Sequence, residues 1–340
     1  MLLHRRYSRR PDRRAVLLAL AAAMAPSVLQ AQDTARRRIG ILMPYPAGDS
    51  TLQRRTKIFR DALERLGWGT DRLAVVERWT GDDLKAVQTA AIDLVSLSVQ
   101  AILTTGSRVV PIVQKATSAV PIVFVGISDP VGQGLVAGLA RPGGNTTGIS
   151  QLEFTDGQAP LIGKQLELIH RLAPAATRAL LIFSPDNPAS AFSVRTFQPA
   201  ANALGLTPVA RPVRTAIDIA DALEEFGRVP GGVLLVPSDL TLLANRSLIV
   251  GQAANLRLPA IYSDNGFVHV GGLVSYFADR DDLFRRAAGF VDRVLRGERP
   301  ADMPVEQPTA YELTINQRTA GTLGLPIPPA ILAQADQIVD

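Results

Sequence analysis

Short apolar runs alternate with amphipathic stretches from residue 38 onward, and this rhythm limits the fold more than any other feature of the chain. Residues 38–43, 73–79, 101–104 and 122–125 are rich in Ile, Leu and Val and lack strict polar alternation, as expected of parallel strands buried on both faces. Between the first two, Ile58, Phe59, Ala62, Leu63 and Leu66 recur at helical spacing and stop at Gly67. Residues 84–99 read as a second helix. Strands that alternate with helices predict an α/β fold with parallel sheets.

The rhythm then starts again, with strands expected at 179–183, 207–211, 232–236 and 260–262. Three segments correspond in order between the halves. Ile39-Gly-Ile-Leu-Met-Pro-Tyr matches Ala179-Leu-Leu-Ile-Phe-Ser-Pro, and each is followed by a helix closing in Leu-Gly. Ala101-Ile-Leu-Thr-Thr-Gly-Ser matches Val233-Leu-Leu-Val-Pro-Ser-Asp, and Val120-Pro-Ile-Val-Phe-Val matches Leu258-Pro-Ala-Ile-Tyr-Ser. Two similar lobes follow. The turn-rich Arg141-Pro-Gly-Gly-Asn-Thr-Thr-Gly marks the boundary, and a second crossing is expected at Leu273-Val-Ser-Tyr-Phe. After it, Leu283, Phe284, Ala287, Val291, Val294 and Leu295 share one helix face, ended by Gly297 and Pro300. Tyr311-Glu-Leu-Thr-Ile-Asn is a final strand, and Gly324-Leu-Pro-Ile-Pro-Pro precedes a short tail helix.

The first 31 residues read as an address. A basic stretch, Arg5 to Arg14, precedes an 11-residue apolar run, Ala15 to Ala25. A bilayer span needs about 20 residues, so the run fits a secretory signal peptide, with cleavage expected after Ala31. Asp12-Arg13-Arg14-Ala15-Val16-Leu17 also resembles a twin-arginine signal; Sec and twin-arginine export both remain open, and both place the mature chain in the periplasm. The net charge of +5 arises there, because residues 32–340 carry 30 basic and 30 acidic residues. The basic balance therefore gives no reason to expect nucleic-acid binding.

Enzymatic chemistry finds little support. Cysteine is absent, which excludes disulfides, Cys-ligated zinc, iron–sulfur clusters, a thiol nucleophile and a lipid-modified cysteine anchor. Only His4, His170 and His269 occur, too few for a multi-histidine metal site. Gly132-Gln-Gly134-Leu-Val-Ala-Gly138 misplaces the third glycine of a dinucleotide fingerprint. Neither a P-loop nor a Gly-x-Ser-x-Gly elbow is present. No cofactor is expected.

In parallel α/β sheets ligands bind beyond the carboxyl ends of the strands. The polar residues there are Tyr45, Thr104, Thr105, Ser107, Ser128 and Asp129 in the first half. In the second they are Ser184, Asp186, Asn187, Ser190, Ser238, Asp239, Ser263 and Asp264, with Tyr262 and Tyr276 as aromatic surface. Many of these residue types serve as helix caps alone. As a set they describe a ligand cleft between two lobes.

Pro121-Ile-Val-Phe-Val-Gly-Ile-Ser-Asp-Pro-Val-Gly, then Gly134-Leu-Val and Leu139-Ala-Arg-Pro-Gly-Gly-Asn-Thr-Thr-Gly, resemble the core signature of the ABC transporter substrate-binding family that includes tryptophan- and tyrosine-binding members. Gly271-Gly-Leu-Val-Ser-Tyr, Met303-Pro-Val-Glu-Gln-Pro-Thr and Ala320-Gly-Thr-Leu-Gly-Leu-Pro-Ile-Pro agree, and the resemblance covers residues 37–336. It implies a type I periplasmic-binding fold: two Rossmann-like lobes joined by three hinge strands, residues 37–148 plus 278–308 and 149–277 plus 309–336. It also implies a monomer that closes on a small molecule and meets the membrane only transiently, through an ABC permease. By position, Thr105, Ser107, Ser128 and Asp129 would line one lobe and Asn187, Ser190, Asp239 and Asp264 the other. Ser107 would suit a ligand carboxylate. Asp129, Asp239 or Asp264 would suit an amine. Tyr45, Tyr262 and Tyr276 could stack on a ring. The loops Met43-Pro-Tyr-Pro-Ala and Pro185-Asp-Asn-Pro-Ala would set specificity. A sensor module for a membrane receptor uses the same fold. A two-domain α/β enzyme would need a nucleophile–base pair or a cofactor fingerprint.

Overall fold

The computed structural model describes residues 36–152 and 160–340. The expected signal peptide lies outside the described residues. The first lobe opens with β1 (Arg37–Met43), α1 (Ser50–Arg65), β2 (Leu73–Trp79), α2 (Leu84–Ser96), β3 (Ile102–Thr105), α3 (Val110–Ala116), β4 (Ile122–Ile127) and β5 (Thr146–Ser150). Its five strands lie in the order β2-β1-β3-β4-β5, and all adjacent pairs are parallel. The apolar runs of β1 and β3 are buried from end to end on their cleft-side halves, because helices cover both faces of the sheet. Helix α2 ends before the expected residue 99 because Ser98 turns to φ 54°, outside the helical region.

The second lobe contains α4 (Pro160–Leu172), β6 (Arg178–Phe183), α5 (Ser190–Ala203), β7 (Thr207–Pro212), α6 (Ala216–Gly227), β8 (Gly232–Val236), α7 (Leu240–Ala244), α8 (Arg246–Asn255), β9 (Ala260–Tyr262), α9 (Asn265–His269) and β10 (Val274–Ala278). The chain then gives α10 (Arg280–Leu295), β11 (Tyr311–Asn316), α11 (Gln317–Leu323), α12 (Pro329–Leu332) and β12 (Gln337–Val339). The second sheet runs β12-β11-β10-β9-β8-β6-β7.

Helix α10 belongs by packing to the first lobe. Its buried face, from Leu283 to Leu295, joins Ile39, Ile41, Phe59 and Leu63 in one core cluster. Full burial of such a side chain stabilises the fold by about 1.5–3 kcal/mol. A second cluster, with Leu42, Leu94 and Ile102, fills the opposite face of that sheet, and two further clusters flank the second sheet.

The two sheets are parallel with one exception: β11 runs antiparallel to β10. The path of the chain explains it. Strand β10 leads out to α10, and β11 enters on the return from the first lobe, so it runs the opposite way. Strand β12, too short to stand out in the sequence, pairs with β11 in parallel.

Three chain crossings join the lobes, and backbone hydrogen bonds tie them side by side. Ser150 N–H donates to Glu306 O at 2.8 Å, Glu306 N–H to Gly148 O at 3.0 Å, and Asp279 N–H to Ala310 O at 3.0 Å. Such a hinge can bend without dismantling either sheet.

Candidate functional site: the cleft between the lobes

Each sheet has one place where successive strands depart to opposite sides: between β1 and β3 in the first, and between β6 and β8 in the second. Ligands settle at such switch points, and here the two face each other across one cavity. Tyr45, Thr105, Gly106, Ser107, Ser128 and Gln151 line it from the first lobe and the hinge. Asn187, Ser238, Asp239, Leu240, Asp264 and Phe267 line it from the second, and Arg280 reaches in from the start of α10.

Local chemistry places each group. Gly126 has φ 73° at a break in the β4–β5 register; this left-handed turn, easy only for glycine, brings buried Ser128 to the cavity. Ser128 Oγ accepts from Gln151 Nε2 at 2.5 Å. Thr105 Oγ1 donates to Val125 O at 2.7 Å, fixing the loop that carries Ser107. Asp239 caps α7 through Leu242 N–H at 3.1 Å and accepts from Asn187 Nδ2 at 2.7 Å. Tyr45 is buried, which raises its pKa above the ordinary tyrosine value; nearby Arg280 pulls the other way, and Asp264 adds to the rise.

The charges converge on Asp264. Its Oδ1 accepts from Gly266 N–H at 2.8 Å. Its Oδ2 lies 3.7 Å from Arg55 Nη1 and 3.5 Å from Arg280 Nε. These distances exceed good hydrogen bonds, and both Asp264 Oδ2 and Arg280 Nε are buried without a hydrogen-bond partner. Arg280 Nη2 donates to Ser238 Oγ and to Gln151 Oε1. Asp264 and Arg280 thus face each other in the cleft as an ion pair too long to be a hydrogen bond.

Of the residues expected from sequence, Tyr45, Thr105, Ser107, Ser128, Asn187, Ser238, Asp239 and Asp264 line this cavity. The others do not, Asp129, Ser190, Tyr262 and Tyr276 among them. The Asp129 carboxylate turns to Gly132 N–H at 2.8 Å and closes a local turn. Ser190 is buried with Oγ donating to Ser184 O at 2.5 Å. Tyr262 is 1% exposed and stacks on Phe267 with ring centroids 4.7 Å apart. Tyr276 stacks on Tyr311 at 5.6 Å and lines a separate surface crevice with Lys164 and Leu313.

Arg55, Gln151 and Arg280 were missed by sequence reasoning, although each left a signal. Arg55 and Thr56 fall on the same α1 stripe as Leu52 and Phe59, where a solvated arginine has no place. Arg280 occupies the first turn of a helix, where the dipole disfavours a cation. Gln151 directly follows the predicted lobe boundary.

Among the described residues there is no cluster of metal-binding side chains, and no helix is long and apolar enough to cross a membrane. A sequence profile described as "ABC transporter substrate binding protein" matches residues 43–339. The chain is 27% identical over 294 residues to a tyrosine-binding protein of Clostridioides difficile (strain R20291), covering 85% of this chain and 81% of that protein. A crystal structure of an ABC domain from Streptococcus pneumoniae in complex with L-Trp superposes with a TM-score of 0.81 at 27% identity, over 89% of this chain and all of that one. A conserved domain protein from Vibrio cholerae has the same fold, with a TM-score of 0.81 at 21% identity over 89% of this chain and 99% of that one.

Proposed function

Because the chain belongs to the ABC transporter substrate-binding family, we propose that it is an exported protein that closes its lobes on an α-amino acid and delivers it to an ABC permease. It performs no catalysis. Residues 1–31 would direct it to the periplasm, where it would act as a monomer. The ligand would lie among Tyr45, Thr105, Ser107, Ser128, Asn187, Asp239 and Asp264, with Gln151 and Arg280 completing the site.

One observation carries this reading. Asp264 and Arg280 line the cleft as a loose ion pair, Oδ2 3.5 Å from Nε, with neither of these atoms in a hydrogen bond. A zwitterion would exchange this long contact for two close ones: its ammonium meets the carboxylate and its carboxylate the guanidinium. The tyrosine-binding and tryptophan-bound relatives support the same class of ligand. Ligand contacts with both lobes would then shift the hinge toward the closed state, the form a permease can distinguish from the empty one.

A thermal-shift panel of amino acids, nucleosides, sugars and small carboxylates tests the reading. Binding to the folded state adds about 2.7 kcal/mol of stability at a hundredfold excess over Kd. The expected result is a shift with amino acids and none with sugars or nucleosides. A panel in which no amino acid raises the Tm, or in which a sugar does, overturns it.

A further inference from the structure

Asp264 has little local support. The helix that follows it, α9, has only five residues, and an isolated helix shorter than about 12 residues is marginal in water. From that helix the carboxylate accepts one bond, from Gly266 N–H at 2.8 Å. The acid is held from outside α9, by a side-chain tie on each of its two chain neighbours.

On one side, Ser263 Oγ accepts from Gln165 Nε2 at 2.9 Å, and the same amide donates to Tyr276 O at 2.6 Å. On the other, Asn265 Nδ2 donates to Glu312 Oε1 at 2.9 Å, and Thr314 Oγ1 donates to that oxygen at 3.0 Å. Asn265 and Thr314 are buried, and a bond to a carboxylate is stronger than one between neutral groups. The second tie leads to the hinge. Glu312 lies on β11, two residues past Ala310, whose carbonyl accepts from Asp279 N–H at the crossing between the lobes. Leu313 and Ile315 of that strand enter a core cluster on one face of the sheet, so Glu312 and Thr314 turn to the other face, where α9 lies. Glu312 does not line the cleft cavity.

Resting on the amino-acid reading above, we propose that Glu312 is a positioning residue: through Asn265 it fixes the Asp264 carboxylate where a ligand ammonium meets it, and it ties that place to the hinge strand β11. Glu312 touches no ligand. A carboxylate already held in place loses less freedom when the ligand arrives, and the affinity is higher for it.

The experiment is calorimetric titration of the purified protein with each of the twenty amino acids, repeated on four variants. Glu312→Ala and Asn265→Ala cut the tie from its two ends, and each is expected to lose about tenfold in affinity for every amino acid that the wild type binds. Glu312→Gln keeps an oxygen acceptor and is expected to stay within about threefold of the wild type. Thr319→Val removes a bond of like length in the same lobe, from Thr319 Oγ1 to Gly271 O at 2.9 Å, and is expected to keep the wild-type affinity. If Glu312→Ala does not fold, Asn265→Ala decides. Wild-type affinity in the variants that cut the tie overturns this inference and leaves the amino-acid reading intact. So does an equal loss in Thr319→Val, which would make the role structural only, or a Glu312→Gln as weak as Glu312→Ala, which would make the charge and not the tie responsible. A wild type that binds none of the twenty overturns the amino-acid reading and this inference with it.

Discussion

Arg55 and Asp264 come from opposite lobes, and their side chains meet with Nη1 3.7 Å from Oδ2. Both residues are buried. Asp281 on α10 approaches Arg55 Nε at 3.4 Å from the other side, and Arg280 stands 3.5 Å from Asp264. Carboxylates and guanidiniums thus alternate through the contact between the lobes. Such a row is stable only while complete, since one missing member leaves a buried charge uncompensated.

Arg55→Met retains the length of the aliphatic stem and removes the charge. Breaking a buried pair from one side is expected to destabilise the fold by about 3 kcal/mol. Equilibrium urea denaturation measures it. A loss below about 0.5 kcal/mol would place the pair with exposed ones, which contribute little.

The strand–helix rhythm was legible in the sequence because buried parallel strands declare themselves by composition alone. The ends of those strands were legible too, and eight of the expected residues do share the cleft. What sequence could not convey was direction. Tyr262 follows the same pattern as Tyr45, yet it folds into the core. The reason lies ten residues away: a Cβ at Gly272 would stand 2.6 Å from Tyr262 Cε2, so the bare glycine leaves the room that the ring fills. Tyr276 faces away from the cleft because alternate residues of β10 point to opposite faces, and its neighbour Phe277 is the one that lines a cavity. Arg55 and Arg280 belong to helices that carry several exposed arginines, and their meeting with Asp264 of the other lobe exists only in the fold.

Gly148 tests the pairing that ends the first sheet. It stands opposite Phe124, and a Cβ there would fall 2.0 Å from Phe124 O, a backbone atom that cannot swing away. Gly148→Ala is expected to force β5 off β4 and to lower stability by more than about 3 kcal/mol, or to prevent accumulation of folded protein. Gly144→Ala, where a Cβ meets nothing within 4 Å, is the control. Equal melting temperatures for the two variants would contradict the register described here.

Leu240 reports on closure. It follows Asp239 on the second lobe, yet it packs against two core clusters of the first lobe. Its Cδ1 lies 3.6 Å from where a Gly106 Cβ would be. Leu240→Glu places a charge in that contact without emptying either lobe's own core. The empty protein is expected to shift toward the open form, seen as a larger radius of gyration in X-ray scattering, while the urea midpoint moves little. An unchanged scattering profile would mean that the hinge, not this contact, sets the resting state.

Helix α6 gives the fold a defined acid dependence. Thr215 Oγ1 accepts from Asp218 N–H at 3.1 Å, and the Asp218 carboxylate accepts in return from Arg214 N–H at 2.8 Å and Thr215 N–H at 3.0 Å, a reciprocal cap. Those backbone donors, Arg214 first and Thr215 next, favour the charged carboxylate and hold its pKa below the ordinary aspartate value, about 3.9 in an unfolded chain. The folded protein therefore binds this proton less readily than the unfolded chain. The contribution to stability is present above about pH 4 and fades as the pH falls through the lowered folded-state value. Asp218→Asn removes the titration and keeps an acceptor at the cap. The difference in stability between wild type and variant is expected to be largest at neutral pH and to shrink on acidification. Denaturation midpoints between pH 7 and pH 3 measure it, and a gap that stays constant over that range would rule out the cap as its source.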